Sequence, residues 1–394
     1  MAGYMFTLDS EQALRECIAE GLYSTVMSNP KGRWGNPAEG TFADYATMQP
    51  GDNVYFFIKR RIYGIGEIVD VGTGCCFQNF PGASEPSPVG DDSAHHPMLV
   101  HQDSGRPDKS QRWVVAFRPA PWFFTQGVDM DDALSSDPSA FRILRAIWKL
   151  SFIKFDHQEN QAFKNAILKL NQEVLAAPTS DAGVFLESHD LHHGRVKDLT
   201  SDGSYELDVR PIVRACREGT RITHEMAIEA ALLFQLSRRD ENTIAAMGRW
   251  DYLSHQVVAS PFKPIDYMDK MDIFGYAWIP DHGPAISKYL VAEIKKGTAS
   301  ESDVEQTMKY VDWVKDEYAH GDYSQVRAFL IAHEIPSKVE QYADRVGHRA
   351  FTVQRRPPRT TEWASLRLLE YRATEEGGIR LVSPRTTVDT IVSI

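Results

Sequence analysis

Apolar and polar positions alternate along this chain at two periods, and the switches between them lay out its elements. In the C-terminal half, Ile273-Phe274-Gly275-Tyr276-Ala277-Trp278-Ile279 reads as an apolar strand that begins at Asp272, and Asp281-His282-Gly283-Pro284 as a turn. Tyr289-Leu290-Val291-Ala292-Glu293-Ile294-Lys295 reads as a second strand. A period of two puts Val291, Glu293 and Lys295 on one face, and Leu290, Ala292 and Ile294 on the other. If the strands pair as a hairpin, Asp272 reaches the face of Glu293 and Lys295. The polar stretch 296–303 leads into a helix on which Gln306 and Tyr310, four apart, share a side. Residues 326–332 form a further strand, 337–346 a helix between Pro336 and Gly347, and 365–371 a strand. Upstream, 222–233 has helical spacing with Thr223 as N-cap, and 250–258 is strand-like. The tail from Glu375 has too little pattern to place, and there is no internal repeat.

The N-terminal half reads as a separate α/β unit. A helix over 11–21 ends at Gly21, and 21–25 is extended. The Gly/Asn/Pro-rich stretch 28–37 is a long loop carrying Trp34. Residues 54–58 and 62–69 pair as a hairpin around Lys59-Arg60-Arg61. Residues 72–110 read as a long loop or insertion, 112–117 as a strand and 119–124 as a Pro-rich aromatic segment. A helix over 140–150, a strand over 151–155 and a closing helix over 160–175 follow. Pro178-Thr179-Ser180-Asp181-Ala182-Gly183 is the linker, so the predicted domains are 1–177 and 178–394. The stretch 189–202 is polar and turn-like; its His189, His192 and His193 match no zinc spacing and read as a solvated loop.

Composition narrows the class. The 394 residues, 42% hydrophobic and 25% charged, suit a soluble globular protein of two or three domains. No apolar run approaches the ~18 residues that cross a bilayer, and the N-terminus has no signal-type pattern, so no membrane partner and a cytoplasmic location are expected. Cys17, Cys75, Cys76 and Cys216 contain no C-x-x-C, which fits reduced thiols rather than a disulfide frame or a zinc site. A net charge of −11 argues against indiscriminate coating of nucleic acid. Positive charge is clustered instead, at Lys59-Arg60-Arg61 and at Arg345, His348, Arg349, Arg355, Arg356 and Arg359; solvated loops are the alternative for the first cluster.

The face shared by Asp272, Glu293 and Lys295 suits a divalent cation. Mg²⁺ (or Mn²⁺) takes hard oxygen ligands, which Asp272, Glu293 and the backbone carbonyl of Ile294 can supply. Lys295 would then stand beside an attacking water, lowering its pKa or neutralising charge that develops on phosphorus. This D-x(n)-E-x-K pattern resembles the PD-(D/E)XK nuclease superfamily, over roughly 223–336. Met271 stands where the family's Pro would be. Glu293-Ile294-Lys295 is the chain's one E-x-K, and the Gln306/Tyr310 helix after it is similar to the NucS-like and Shedu-like branches. The resemblance implies an α/β core with a mixed sheet, a metal-dependent endonuclease, and catalytic roles for Asp272, Glu293, Lys295 and Gln306. It also implies an acidic residue from a preceding helix, Glu225 or Glu229, with Glu229 in the more apolar surroundings.

In the N-terminal half, G-L-Y-S-T (21–25), G-D-N-V-Y-F-F (51–57), Y-G-I-G-E-I-V (63–69), R-W-V-V-A-F-R-P (112–119) and S-F-I-K-F (151–155) resemble EVE and YTH domains of the PUA-like class. That resemblance implies a small PUA-like β-barrel holding a modified, flipped-out base among aromatics. Trp34, Trp113, Trp122 and Tyr63 are candidates for stacking, with Tyr23 and Ser24 lining the pocket; core packing is the alternative for each aromatic. Together the two resemblances imply α/β and α+β architecture and a homo-oligomeric enzyme. It would cleave DNA rather than RNA, in restriction or anti-phage defence. A non-catalytic reader of modified nucleic acid that uses the nuclease-like fold as a scaffold is the second reading, and an oligomeric interaction protein the third.

Overall fold

A computed structural model of the chain describes residues 1–26, 36–78, 88–89, 98–99, 101–103, 106–108, 112–137, 139–141, 152–176, 182–203, 205–259 and 269–384. Two compact units emerge, Met1–Arg33 with Asp44–Asp208, and Trp34–Ala43 with Val209–Ile394. No helix among the described residues is long and apolar enough to cross a membrane.

The first unit is built on β1 (Gly3–Thr7), α1 (Glu11–Glu20), β2 (Leu22–Val26), the end of α2 (Asn36–Thr47), β3 (Asn53–Ile58), β4 (Arg61–Ile68), β5 (Cys76–Gln78), β6 (Arg112–Asp129), α3 (Met130–Ser136), β7 (Phe152–Phe155), α4 (His157–Leu170) and α5 (Ala182–Thr200). Its seven strands run in the order β7-β1-β3-β4-β6-β2, with β5 also on β6, and β1 and β3 are parallel. Among the described residues no ladder joins β7 to β2. The β3–β4 hairpin turns through Lys59 and Arg60, both left-handed at φ 46° and 69°, which matches the twist of the strands they connect. The strand at 112–117 and the aromatic segment after it are one long strand, β6, with register shifts after Pro119 and Phe124. Glu159 returns the cap of Asp156 in a reciprocal capping box, which starts α4 three residues earlier than expected. The helix expected over 140–150 lies, beyond Phe141, outside the described residues.

Helix α5 corrects the loop reading of 189–202. Its buried positions are His189, His193, Val196 and Thr200, a helical stripe written mostly in polar residues. Those side chains have work to do. Helix α1 ends at Gly21 (φ 66°), where a Cβ would meet His193 Nε2 and the Phe117 carbonyl, both at 2.8 Å. The carbonyls left open there are taken by α5: Ser188 Oγ donates to Ala19 (2.7 Å), His193 Nε2 to Gly21 (3.0 Å) and His189 Nε2 to Ile18. A ring nitrogen facing a carbonyl carries the proton. Burial pulls both imidazoles down, His193 to about 4, so they remain neutral.

A polar network sits in the same unit. Asp52 accepts from Ala2 N (2.7 Å) and Gln49 N (3.1 Å). Asn160 donates to Asn53 Oδ1 (2.9 Å) and accepts from Tyr55 Oη (2.8 Å), while Asn53 donates to the Gly66 carbonyl (3.1 Å).

The second unit comprises the start of α2, α6 (Arg210–Cys216), α7 (Glu225–Ser237), α8 (Glu241–Met247), β8 (Tyr252–Val258), β9 (Lys270–Trp278), β10 (Ile286–Thr298), α9 (Glu301–Glu317), β11 (Val326–Glu334), α10 (Ser337–Val346), β12 (Arg349–Arg355), β13 (Pro358–Trp363), β14 (Leu366–Ala373) and β15 (Ile379–Val382). A six-stranded sheet runs β8-β9-β10-β11-β14-β15. It is mixed: β10, β11 and β14 are mutually parallel, and the other neighbours antiparallel. Helix α7 starts at Glu225 after His224, not at a Thr223 cap; the Thr223 hydroxyl instead donates to the Cys216 carbonyl (3.1 Å). Strand β10 runs on to Thr298, which shortens the expected 296–303 loop to a two-residue link into α9. The tail left unplaced at the sequence level supplies the edge strand β15, bonded to β14.

Candidate functional site

Strand β10 places Glu293 and Lys295 on one face, as its period requires. Lys295 Nζ donates to Glu293 Oε1 at 2.6 Å and lies 3.9 Å from Asp303 Oδ1. Asp303 is fixed by the Ser300 backbone, whose N–H it accepts (2.8 Å) at the start of α9. The β9–β10 ladder pairs Ile273 with Ala292, so Asp272 stands at its end beside Glu293. Asp272 Oδ2 accepts from Ile294 N at 2.7 Å, which ties the Asp strand to the E-x-K strand through one charge-assisted bond. Glu229, on α7, joins through Gln256: that amide lies 3.0 Å from each Glu229 oxygen and 3.1 Å from Asp272 Oδ1. Glu225, the other acidic candidate, turns instead to Lys296 N (3.3 Å).

Gln256 is the residue that sequence reasoning missed. It breaks the β8 pattern with φ 51°, and the β8–β9 ladder skips it between His255↔Ile273 and Val257↔Met271. In the sequence it is the last of three polar residues, Ser254-His255-Gln256, in the middle of a strand-like stretch, which many edge strands show.

Charge is out of balance here. Glu229 (2% exposed), Asp272 and Glu293 (1% exposed) have one ammonium beside them, Lys295, which Asp303 also approaches. Glu293 Oε2 is buried with no hydrogen-bond partner among the described residues. Burial raises the Glu293 carboxyl to about 8, with Asp272 adding to the shift, and raises Asp272 to about 6 against the opposing bond from Ile294. Glu229 is pushed well up by burial and by Asp272. For Lys295, burial pulls downward, but Glu293 and Asp272 outweigh it and the net shift is upward. An ammonium held that firmly acts by charge, not as a proton acceptor near neutral pH.

A hard dication fits this donor set. The ligand atoms are carboxylate oxygens, one of them orphaned and buried, and a cation would discharge the crowding that now keeps protons on the carboxyls. Gln306 donates to Tyr310 Oη (2.6 Å) and makes no direct bond to the carboxylates. Burial raises the Tyr310 hydroxyl, and the charges of Glu293 and Asp272 add to that shift.

The basic positions are partly spent inside the fold. Arg349 forks onto Asp312 (2.9 and 3.0 Å), His348 faces Glu362 (3.2 Å) and the Arg345 guanidinium covers the Tyr342 ring (4.9 Å). Arg356 and Arg359 remain exposed at the β12–β13 turn. Arg60 pairs with Asp131 (2.5 Å).

Of the residues expected to line an N-terminal pocket, Tyr23, Ser24, Tyr63 and Trp113 can be placed. Tyr23 is buried and stacked on Phe6 (centroids 4.0 Å apart, 9°), and Trp113 is fully buried. Tyr63 is buried close against Gly127. Ser24 lies on β2 opposite Val114. Trp34 and the Trp122 side chain lie outside the described residues. A cleft of about 460 Å³ in this unit is lined by Glu67, Asp70, Arg118, Asp190 and His193 among others, and by no aromatic.

No family model matches the chain, and no curated protein matches it. Among solved structures, the crystal structure of a repair endonuclease from Pyrococcus abyssi overlaps at 14% identity and TM-score 0.18, covering 73% of this chain and 74% of the other. The apo form of EndoMS overlaps at 9% identity and TM-score 0.17, covering 83% and 95%. Superpositions this loose leave the functional reading to the site itself.

Proposed function

We propose that the chain is a metal-dependent endonuclease of PD-(D/E)XK type that cleaves DNA, with Asp272, Glu293, Lys295 and Gln306 as its catalytic set. The observation that carries this reading is the buried Glu293 oxygen without a partner among the described residues, on a strand whose Lys295 bonds Glu293 and whose Ile294 N–H bonds Asp272. Asp272 and Glu293, with the Ile294 carbonyl, would hold Mg²⁺ or Mn²⁺, and Glu229 would stand behind them. A bound dication supplies Lewis acidity toward the scissile phosphate and its attacking water. The chain's own contribution is electrostatic. Lys295 keeps its proton and offers positive charge where negative charge grows during phosphodiester attack. Gln256 holds Glu229 and Asp272 together, and Ile294 N fixes the carboxylate plane of Asp272. Gln306 would orient a water or a phosphate oxygen.

The N-terminal unit is proposed to select the nucleic acid, including a modified base, on the strength of its EVE- and YTH-like motifs. That combination suits restriction or phage defence by a homo-oligomer. The test is cleavage of modified DNA, unmodified DNA and RNA with Mg²⁺, Mn²⁺ or chelator, beside Lys295→Ala. Metal-dependent cutting of DNA that Lys295→Ala loses supports the enzyme. Binding without cutting under every condition, unchanged in Lys295→Ala, hands the site to the non-catalytic reader.

A further inference from the structure

Away from the carboxylate cluster, the second unit gathers three ligand-type side chains from distant parts of the chain. Glu39 stands on α2, Cys216 ends α6 and His224 precedes α7; Glu39 and Cys216 are 177 positions apart. Cys216 Sγ lies 3.4 Å from Glu39 Oε1 and 3.7 Å from His224 Nδ1, and that nitrogen lies 3.2 Å from the same oxygen. A tetrahedral zinc, with bonds of about 2.3 Å to sulfur and about 2.0 Å to nitrogen and oxygen, sets those edges at roughly 3.5, 3.5 and 3.3 Å. The triangle already has the size of one face of a zinc coordination sphere.

A second observation points the same way. Glu39 is fully buried, and its Oε2 has no hydrogen-bond partner among the described residues. A buried carboxylate with an orphaned oxygen, beside a thiol and an imidazole, suits a cation. The alternative chemistry for Cys beside His is an activated nucleophile, which needs a nearby cation or a helix N-terminus to stabilise the thiolate; Cys216 instead stands at the C-terminal end of α6 beside the Glu39 carboxylate. The His224 side chain is 40% exposed, which gives an ion and a water a way in.

We propose that Glu39, Cys216 and His224 bind one zinc ion, separate from the Asp272–Glu293 cluster, which fastens the start of α2 to the start of α7. A thiolate and an imidazole select zinc over Mg²⁺, and one water completes the tetrahedron. Binding breaks the Sγ–H bond: the electron pair goes to the metal and the proton to solvent. Zinc binding itself is independent of the nuclease reading.

The experiment uses the full chain stripped of metal and loaded with Co²⁺, with zinc affinity read by competition against a chromogenic chelator. The wild type is expected to show a thiolate-to-cobalt charge-transfer band at one equivalent. Cys216→Ser should abolish the band and weaken zinc binding on the order of a hundredfold, at the upper end of what loss of an outer-sphere partner costs. Cys17→Ser, Cys75→Ser and Cys76→Ser should keep the band, as should Glu293→Gln, which separates this site from the other. If Cys216→Ser does not fold, Glu39→Gln decides: it should weaken zinc binding at least tenfold. A wild type without the band, a band that survives Cys216→Ser, or unchanged affinity in Glu39→Gln overturns the proposal.

Discussion

Two buried polar clusters in this protein have opposite characters. In the first unit, Asp52, Asn53 and Asn160 each find partners for both side-chain termini among backbone groups, each other and Tyr55. In the second, Glu229, Asp272 and Glu293 compete for one amide, one backbone N–H and one ammonium, and Glu293 Oε2 goes without. A satisfied network rigidifies a core; an unsatisfied acidic one costs stability and is kept for what it binds. The contrast is what separates scaffold from candidate site here.

The sharpest way to break the comparison is to neutralise one member of each cluster. Glu293→Gln should reduce cleavage by about 10²–10³-fold, about 3–4 kcal/mol of transition-state stabilisation, and Lys295→Ala should do the same with DNA binding spared. Measured under single-turnover conditions, loss of binding in step with cleavage would place Lys295 in recognition instead. The same Glu293→Gln should not destabilise the metal-free fold above about pH 8, where it removes a buried charge.

Asn160→Ala should behave in the reverse way. It strips Tyr55 Oη and Asn53 Oδ1 of their partner, and should cost about 1–3 kcal/mol in urea unfolding. Cleavage by the folded fraction should stay intact. Gln306→Ala, which removes the amide that donates to Tyr310 Oη, should slow cleavage about tenfold, about 1.4 kcal/mol, with affinity for DNA unchanged.

The smallest expected effect is on pH dependence. Asp272 at about 6 and Glu293 at about 8 hold protons in the folded chain that the unfolded chain gives up at lower pH. The folded state therefore binds more protons between about pH 4 and 8, and their contribution to stability falls as pH rises through that window. Metal-free protein should lose about 2–4 °C of Tm per kcal/mol across it. Mn²⁺ should restore more at pH 8.5 than at pH 5.5, since it replaces those protons, and Glu293→Gln should flatten the slope. A metal-free Tm that climbs from pH 5.5 to 8.5 and is indifferent to Glu293→Gln would contradict the charge imbalance.

Much of the second unit was legible because its faces are written in residue types that match their surroundings. The period-two run 289–295 alone puts Glu293 and Lys295 together, and the apolar strand from Asp272 and the 337–346 helix appear where the pattern puts them. Helix α5 was hidden because its buried stripe is His189, His193 and Thr200, which satisfy backbone carbonyls rather than repel water. Gln256 was hidden because its role depends on a left-handed backbone at one position of a strand. The Glu39–Cys216–His224 triangle was hidden because no spacing rule spans 177 residues, and the lack of C-x-x-C argued against zinc. Local pattern reports faces; it does not report which distant segments share a corner.

The central claim is that the Asp272–Glu293 cluster is a divalent-metal site that works on phosphodiesters. Calorimetric titration of Mn²⁺ into metal-free wild type and Glu293→Gln, both carrying Cys216→Ser to silence the other cluster, tests it most directly when cleavage is followed in the same samples. The account predicts one Mn²⁺ bound in the wild-type cluster, affinity lowered at least about tenfold by Glu293→Gln, and cleavage lost in parallel. Equal Mn²⁺ binding by both proteins, or cleavage that survives Glu293→Gln, would contradict it.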